Sequence, residues 1–440
     1  MTNPSLDRRS IVDLDKRHVW HPYTAMTKYI DEVDPFVVSR AEGPFFFDVD
    51  GTRYIDANSS WWVATLGHRH PRLVRAMTEQ AERLCHVALA GVTHREAAVL
   101  AARLSETLPP GLSRVFFSDD GSTALEVAIK MVLGFHANEG RRERRRFVSL
   151  VHAFHGETLG VTALGGVELF RRSFADVLMP VHFVTPPRPG EGEDGPAAQA
   201  LDALFEAHGD EIAGAVVEPL VQGASGMNIY PGWFVRRVRE ACDRVGALLV
   251  VDEVFTGFGR TGTFWTSGST GVVPDVVCSA KALTSGILPF AATIASERVF
   301  EAFLGPADRA LYYGHSYCGH PLAAAVALAV LDVYRDEGIL EGVGARARMI
   351  SERFAAMGEI PGVKNPRALG MIGAIDLADG ASYLGTRGWR AHAEARKRGA
   401  YLRPLGDVVY VAPPLNVPMD VLDELLSIVE ASVRAALERA

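Results

Sequence analysis

Two short apolar runs, Leu248-Leu-Val-Val251 and Val276-Val-Cys278, each deliver an ionisable residue at or just beyond their C-terminal ends. Runs this short and this continuously apolar read as strands buried on both faces, the pattern of a parallel sheet covered by helices. The residues delivered are Asp252 and Lys281. Ligands of open α/β sheets bind outside the carboxyl ends of the strands, so an acid and an amine brought there can meet on one small molecule.

The same alternation runs from residue 114 to 296. Strands are expected at Arg114 to Phe117, Phe147 to Val151, Gly214 to Val217 and Phe290 to Ile294. Helices are expected from about Thr123 to His136, Gly232 to Val245 and Leu322 to Val333. The expected fold is therefore α/β, with a mostly parallel central sheet flanked by helices. Past about residue 340 the pieces shorten, and Leu369 to Leu377 and Tyr401 to Val411 read as strands of a smaller α/β domain. The expected division is an arm and hairpin over residues 1–65 that contribute to the small domain and the active site, a large domain over 66–335, and a small domain over 336–440. Phe45 to Asp56 is the hairpin, turning at Asp50-Gly51.

With 440 residues, 48% of them hydrophobic, the chain can bury a large core. Its formal charge of −8 is spread along the sequence, which argues against nucleic acid as a partner. The four cysteines, Cys85, Cys242, Cys278 and Cys318, form neither a CxxC pair nor a disulfide framework, and reduced thiols are expected. The N-terminus lacks an apolar core like that of a signal peptide, and no run of about 18 apolar residues occurs. A cytoplasmic protein that neither crosses nor is exported through a membrane is expected.

An acid and a lysine at adjacent strand ends fit pyridoxal 5'-phosphate, which needs an amine to condense with its aldehyde and a carboxylate to hold its ring nitrogen protonated. A buried Asp–Lys ion pair, or an N-cap aspartate with a surface lysine, explains either residue alone as well. Gly121-Ser122 opens a helix after a strand, offering free N–H groups and a hydroxyl to a phosphate, although an ordinary capped helix looks similar. Phe154, also past a strand end, could stack on a flat ring or pack in the core. Trp20, Tyr23, Trp61 and Trp62 lie in irregular segments, where aromatics line a pocket, dock on a partner subunit or pin an arm. His68 and His70 have no third ligand spaced to join them in a metal site. Arg141 to Arg146 reads as a solvated loop. Arg403, read as lying on a strand, makes a surface pair or, between domains, clamps a carboxylate.

Taken in order, Gly121-Ser122, Phe154-His-Gly156, Glu218, Asp252, Lys281 and Ser316 resemble the class III, fold type I pyridoxal-phosphate aminotransferases over nearly the whole chain. Trp20-His-Pro-Tyr23, Ser59-Ser-Trp-Trp62, Val217 to Gly226, Gly257-Phe-Gly-Arg-Thr-Gly262 and Arg403-Pro404 look like the branch that aminates 8-amino-7-oxononanoate in biotin synthesis. The resemblance implies that Lys281 binds the cofactor and moves the proton, and that Asp252 holds the ring nitrogen. Gly121 and Ser122 would bind the phosphate, completed by His315 and Ser316 from the other subunit of a homodimer. Tyr23, Trp61, Phe154, Gly314 and Arg403 would line the substrate pocket, with Arg403 on the distal carboxylate. Small-molecule partners, an amino donor and a keto acid, follow.

Two departures stand out. Phe154 and Glu157 replace the tyrosine and aspartate usual at these positions, which keeps ring stacking but removes a hydroxyl. Gly314-His-Ser-Tyr317 looks like the branch that takes its amino group from lysine, whereas the Trp-His-Pro-Tyr and Trp-Trp pieces look like the branch that uses S-adenosylmethionine. The reading leans to S-adenosylmethionine and keeps a broader ω-aminotransferase as the alternative.

Overall fold

The computed structural model describes residues 7–438. Its largest sheet has seven strands, in the order Leu112–Ser118, Ala291–Ser296, Val276–Ser279, Leu248–Asp252, Ile212–Val217, Arg146–Leu150 and Val181–Val184. Ala291–Ser296 runs antiparallel to both its neighbours, and the pairings from Val276–Ser279 through to Val181–Val184 are all parallel. Leu248–Asp252 is buried at every position, as its continuous apolar run requires. The helices Gly121–Asn138 and Gly232–Val245 pack against the sheet, the second ending on a left-handed Gly246.

A four-stranded sheet joins three N-terminal strands, Val38–Glu42, Phe45–Asp48 and Arg53–Asp56, to the much later Ala400–Tyr401. The hairpin thus forms about Asp50-Gly51 as expected, with Phe45 opposite Ile55. A three-stranded sheet contains Lys364–Leu369, Ile372–Asp376 and Val408–Val411.

The late strands correct the sequence reading in two places. Leu369 to Leu377 is not one strand but the turn and second arm of a hairpin, because Gly370 adopts a left-handed φ of 55° and reverses the chain. Tyr401 to Val411 is split into Ala400–Tyr401 and Val408–Val411, each in a different sheet, so Arg403 lies in the connection and not on a strand. The Arg141 to Arg146 run is only partly a solvated loop. Arg144 is half-buried and donates to the carbonyls of Gly209, Ile212 and Val245, tying three chain ends together.

Among the described residues no helix is long and apolar enough to cross a membrane. His68 pairs with Asp56 at 2.9 Å and His70 with Glu337 at 3.3 Å, so the two imidazoles serve separate structural contacts.

Candidate active site

A cavity of about 430 Å³ opens at the carboxyl ends of the parallel strands. Asp252 enters it as the last residue of Leu248–Asp252, and Lys281 follows Val276–Ser279 by two residues. Lys281 has a φ of 38°, a conformation that costs a non-glycine residue about 1–2 kcal/mol and is retained where the surroundings enforce it. No ion pair joins Asp252 to Lys281 among the described residues. Asp252 Oδ2 instead lies 2.7 Å from His155 Nδ1, and Oδ1 accepts the Val254 N–H at 3.0 Å. The simple Asp–Lys pair therefore does not account for the acid.

Around this pair the charges are confined. Glu218 is buried at the end of Ile212–Val217 and accepts the N–H groups of Phe154 and Gly223, each at 3.0 Å. Burial pushes its carboxyl up to about 7, with His155 opposing and Asp252 adding to the rise. Burial also disfavours charge on His155, yet the Asp252 hydrogen bond and the Asp252 and Glu218 charges outweigh it and raise the ring's pKa. Desolvation lowers the pKa of the Lys281 amine, against the pull of Asp252 and Glu218. Lowering the amine's pKa favours the unprotonated form that acts as nucleophile and base.

The opposite wall is the start of the Gly121–Asn138 helix. Asp120 caps it by accepting the Thr123 N–H at 2.8 Å, and the Thr123 hydroxyl accepts the Asp120 N–H in return at 3.0 Å. That leaves Gly121 and Ser122 lining the cavity at a helix N-terminus suited to a phosphate. A methyl group on Gly121 would stand 2.8 Å from Val254 Cγ1, and one on Gly156 would stand 2.3 Å from Ser122 Oγ. The cradle is shaped by absent side chains as much as by present ones.

The approach is aromatic. Ser59, Ser60, Trp61 and Trp62 all have left-handed φ values, from 47° to 73°. This costly turn is held by the Ser59 hydroxyl donating to the Ala412 carbonyl at 2.7 Å, by Asn58 Nδ2 donating to the Tyr410 carbonyl at 3.2 Å, and by Trp62 Nε1 donating to the Tyr410 hydroxyl at 3.1 Å. It splits the two tryptophans. Trp62 lines the cavity with its ring 5.1 Å from Lys281 Nζ, whereas Trp61 lies outside the lining. There the Arg403 guanidinium stacks 4.5 Å over Trp61, and the Arg403 backbone N–H donates to Asn58 Oδ1 at 2.6 Å. Tyr23 meets Trp61 edge-on at 5.5 Å and donates its hydroxyl to Glu157. Burial, followed by that bond, raises the Tyr23 pKa.

Five expected residues therefore line one cavity: Lys281, Asp252, Gly121, Ser122 and Phe154. Tyr23, Trp61 and Arg403 form a second group beside it. Gly314, His315 and Ser316 lie outside its lining, and His315 Nδ1 stands 3.7 Å from Asp119 Oδ2 at the cavity wall. The sequence motif contains His155 and Glu218 without assigning them a task, and it does not single out Trp62 for the cavity. Their position after strands or beside a tryptophan was the available signal, but the contacts that define them come from distant segments. The donor set fits pyridoxal phosphate: a depressed lysine, a buried acid, an aromatic face and a helix N-terminus share one enclosure.

Comparison with known proteins shows the family. The model of the Aminotransferase class-III family matches residues 28–433. The adenosylmethionine-8-amino-7-oxononanoate aminotransferase of Geobacter sulfurreducens is 39% identical, over 98% of each chain. That of Aquifex aeolicus is 35% identical, again over 98% of each. The crystal structure of the Methanocaldococcus jannaschii protein of that name matches 99% of this chain and 100% of its own, with a TM-score of 0.92 and 30% identity. The ω-transaminase of Pseudomonas jessenii, in complex with PMP, matches with a TM-score of 0.92 and 29% identity, over 98% of this chain and 99% of its own. The chain belongs to the class III aminotransferases and has their fold type I architecture.

Proposed function

We propose that this enzyme transfers an amino group to 8-amino-7-oxononanoate, giving 7,8-diaminononanoate for biotin synthesis, with pyridoxal 5'-phosphate as cofactor. The observation that carries the reading is Arg403, stacked on Trp61 beside the approach to the Lys281 cavity. A planar cation held away from the reacting amine, among aromatics, suits a long keto acid with a distal carboxylate. The reaction named for the Geobacter and Aquifex relatives supports the substrate, and the word adenosylmethionine in those names supports S-adenosylmethionine as donor.

When bound, pyridoxal phosphate supplies an aldehyde carbon that takes up an amine and a ring that accepts the electron pair of a broken C–H bond. Gly121 and Ser122 would hold its phosphate, Phe154 would face its ring and Asp252 would keep the ring nitrogen protonated. Lys281 would anchor it and accept the proton lost from the substrate's reacting carbon. Tyr23 and Trp61 cover the aliphatic chain and exclude water, Gly314 contributes backbone, and Arg403 binds the carboxylate.

The enzyme acts in the cytoplasm as a homodimer, with His315 and Ser316 completing the partner's phosphate site. The exposure of Tyr312 and Tyr317 on the same loop supports that role. Residues 1–65, 66–335 and 336–440 act as arm, large domain and small domain.

The test is a half-reaction. The cofactor-loaded protein is mixed with 7,8-diaminononanoate, and the visible cofactor band is followed. Rapid loss at low concentration, much slower with putrescine, supports the assignment, and repetition with S-adenosylmethionine and with lysine identifies the donor. Conversion by putrescine alone replaces the reading with a broader ω-aminotransferase, since this chain's fold is as similar to the Pseudomonas jessenii ω-transaminase as to the Methanocaldococcus protein.

A further inference from the structure

Near the amino-terminal ends of the parallel strands, away from Asp252 and Lys281, three side chains from three elements converge. His182 lies on the outer strand Val181–Val184, His208 ends the helix Pro196–His208, and Glu211 immediately precedes the strand Ile212–Val217. His182 Nε2 and His208 Nδ1 stand 3.2 and 2.8 Å from the same carboxylate oxygen, Glu211 Oε1. The two rings are 4.4 Å apart between centroids and inclined by 32°. One ligand atom from each residue lies within 4.8 Å of the others.

We propose that His182, His208 and Glu211 form a Zn²⁺ site that fastens the edge of the central sheet, separate from the transamination centre. Two imidazoles and a carboxylate are a donor set that suits zinc and is too nitrogen-rich for calcium or magnesium. Tetrahedral zinc, with bonds near 2.0–2.1 Å, sets its ligands roughly 3.3 Å apart. The observed 3.2 and 2.8 Å need only small side-chain shifts to admit it.

The ligands also stand on fixed backbone. The Glu211 N–H donates to the His208 carbonyl at 3.0 Å, and the Glu211 carbonyl accepts the N–H groups of Arg145 and Arg146 at 2.9 and 3.0 Å. Arg146 Nε lies 3.6 Å from Oε2, which orients the carboxylate and leaves Oε1 for the metal. All three side chains keep partial exposure, so the ion has an entry path and water can fill the remaining position. The nearest rival is a metal-free cluster in which both imidazoles donate to Glu211.

The experiment uses the cofactor-loaded enzyme, stripped of metal with EDTA and titrated with zinc chloride by calorimetry. Thermal unfolding is measured in parallel on wild type, His208→Ala and the near-isosteric Glu211→Gln. Wild type is expected to bind one Zn²⁺ per chain and to unfold at a higher temperature with zinc, because the ion binds only the folded site. Each variant is expected to bind about tenfold more weakly or worse and to lose the zinc-dependent rise, whatever the lost Glu211 contacts do to its metal-free unfolding temperature. No saturable binding, or equal affinity in wild type and Glu211→Gln, overturns the site and leaves the hydrogen-bonded cluster.

Discussion

His155 Nδ1 lies 2.7 Å from Asp252 Oδ2, while the far nitrogen of the same buried ring meets no partner among the described residues. The imidazole is thus committed to the carboxylate from behind. The Val254 N–H, bound to Oδ1, is the carboxylate's other fixed contact. In the proposed reading His155 would act as a positioning residue, holding Asp252 for the cofactor ring.

Replacing His155 by Leu leaves a buried carboxylate with one remaining donor. A hydrogen bond to a charged group contributes about 1.5–3 kcal/mol, so the half-reaction is expected to slow by roughly tenfold to a hundredfold. Asp252→Asn removes the charge itself and is expected to slow it by about 10²–10³-fold. Single-turnover decay of the visible cofactor band measures both, and a wild-type rate in the His155 variant rules out the positioning role.

Gly156 has a φ of 138°, and a Cβ there would stand 2.3 Å from Ser122 Oγ. The Ser122 hydroxyl also accepts the Glu157 N–H at 3.0 Å, so it has little room to retreat. Gly156→Ala is expected to displace Ser122 and weaken cofactor binding by about tenfold or more, the strain being of order 1–3 kcal/mol. Equilibrium dialysis of pyridoxal phosphate against the variant measures the loss. Unchanged affinity would mean that Ser122 does not hold the phosphate.

The parts of this site that were readable in the sequence are those set by local pattern. Leu248–Asp252 announces a doubly buried strand through an unbroken apolar run, and the strand ends then bring Asp252 and Lys281 together. Gly121-Ser122 announces a strand-to-helix turn in the same way. By contrast, the left-handed turn at Ser59–Trp62 is imposed by Tyr410 and Ala412, some 350 residues later, and nothing within the turn marks it. Arg403 was read as a strand residue for a similar reason: the apolar run around it divides between two sheets that only tertiary contacts define. The bond from Tyr23 to Glu157 joins two segments 134 residues apart, and only the folded chain shows that Glu157 meets a hydroxyl from the arm.

Glu218 provides a pH test. Its pKa rises from 4.5 to about 7 on folding, so between those values the folded state holds more protons than the unfolded one. The contribution of its neutral form to stability is fully present below about pH 4.5 and is lost as pH rises through 7. Gln resembles the neutral acid throughout. Cofactor-free Glu218→Gln is therefore expected to match wild type near pH 4.5 and to be more stable at pH 8, by at most roughly 3 kcal/mol. Urea unfolding at the two pH values measures the difference. A variant equally destabilised at both would show that the two N–H bonds from Phe154 and Gly223 matter more than the charge.

Arg403 makes two kinds of contact that substitution can separate. Its guanidinium stacks on Trp61, and in the proposed reading its charge pairs with the substrate carboxylate. Arg403→Ala loses both and is expected to lower kcat/KM for 8-amino-7-oxononanoate by about tenfold to a hundredfold. Half-reactions with simple amines that lack a carboxylate should change little. Arg403→Lys keeps the charge but neither the planar stack nor the paired donors, and it is expected to fall between the two. If both variants slow every substrate equally, Arg403 is a support for Trp61 and the carboxylate is bound elsewhere. If Lys restores the keto acid rate fully, charge alone is sufficient and the Trp61 stack plays no part in holding the substrate.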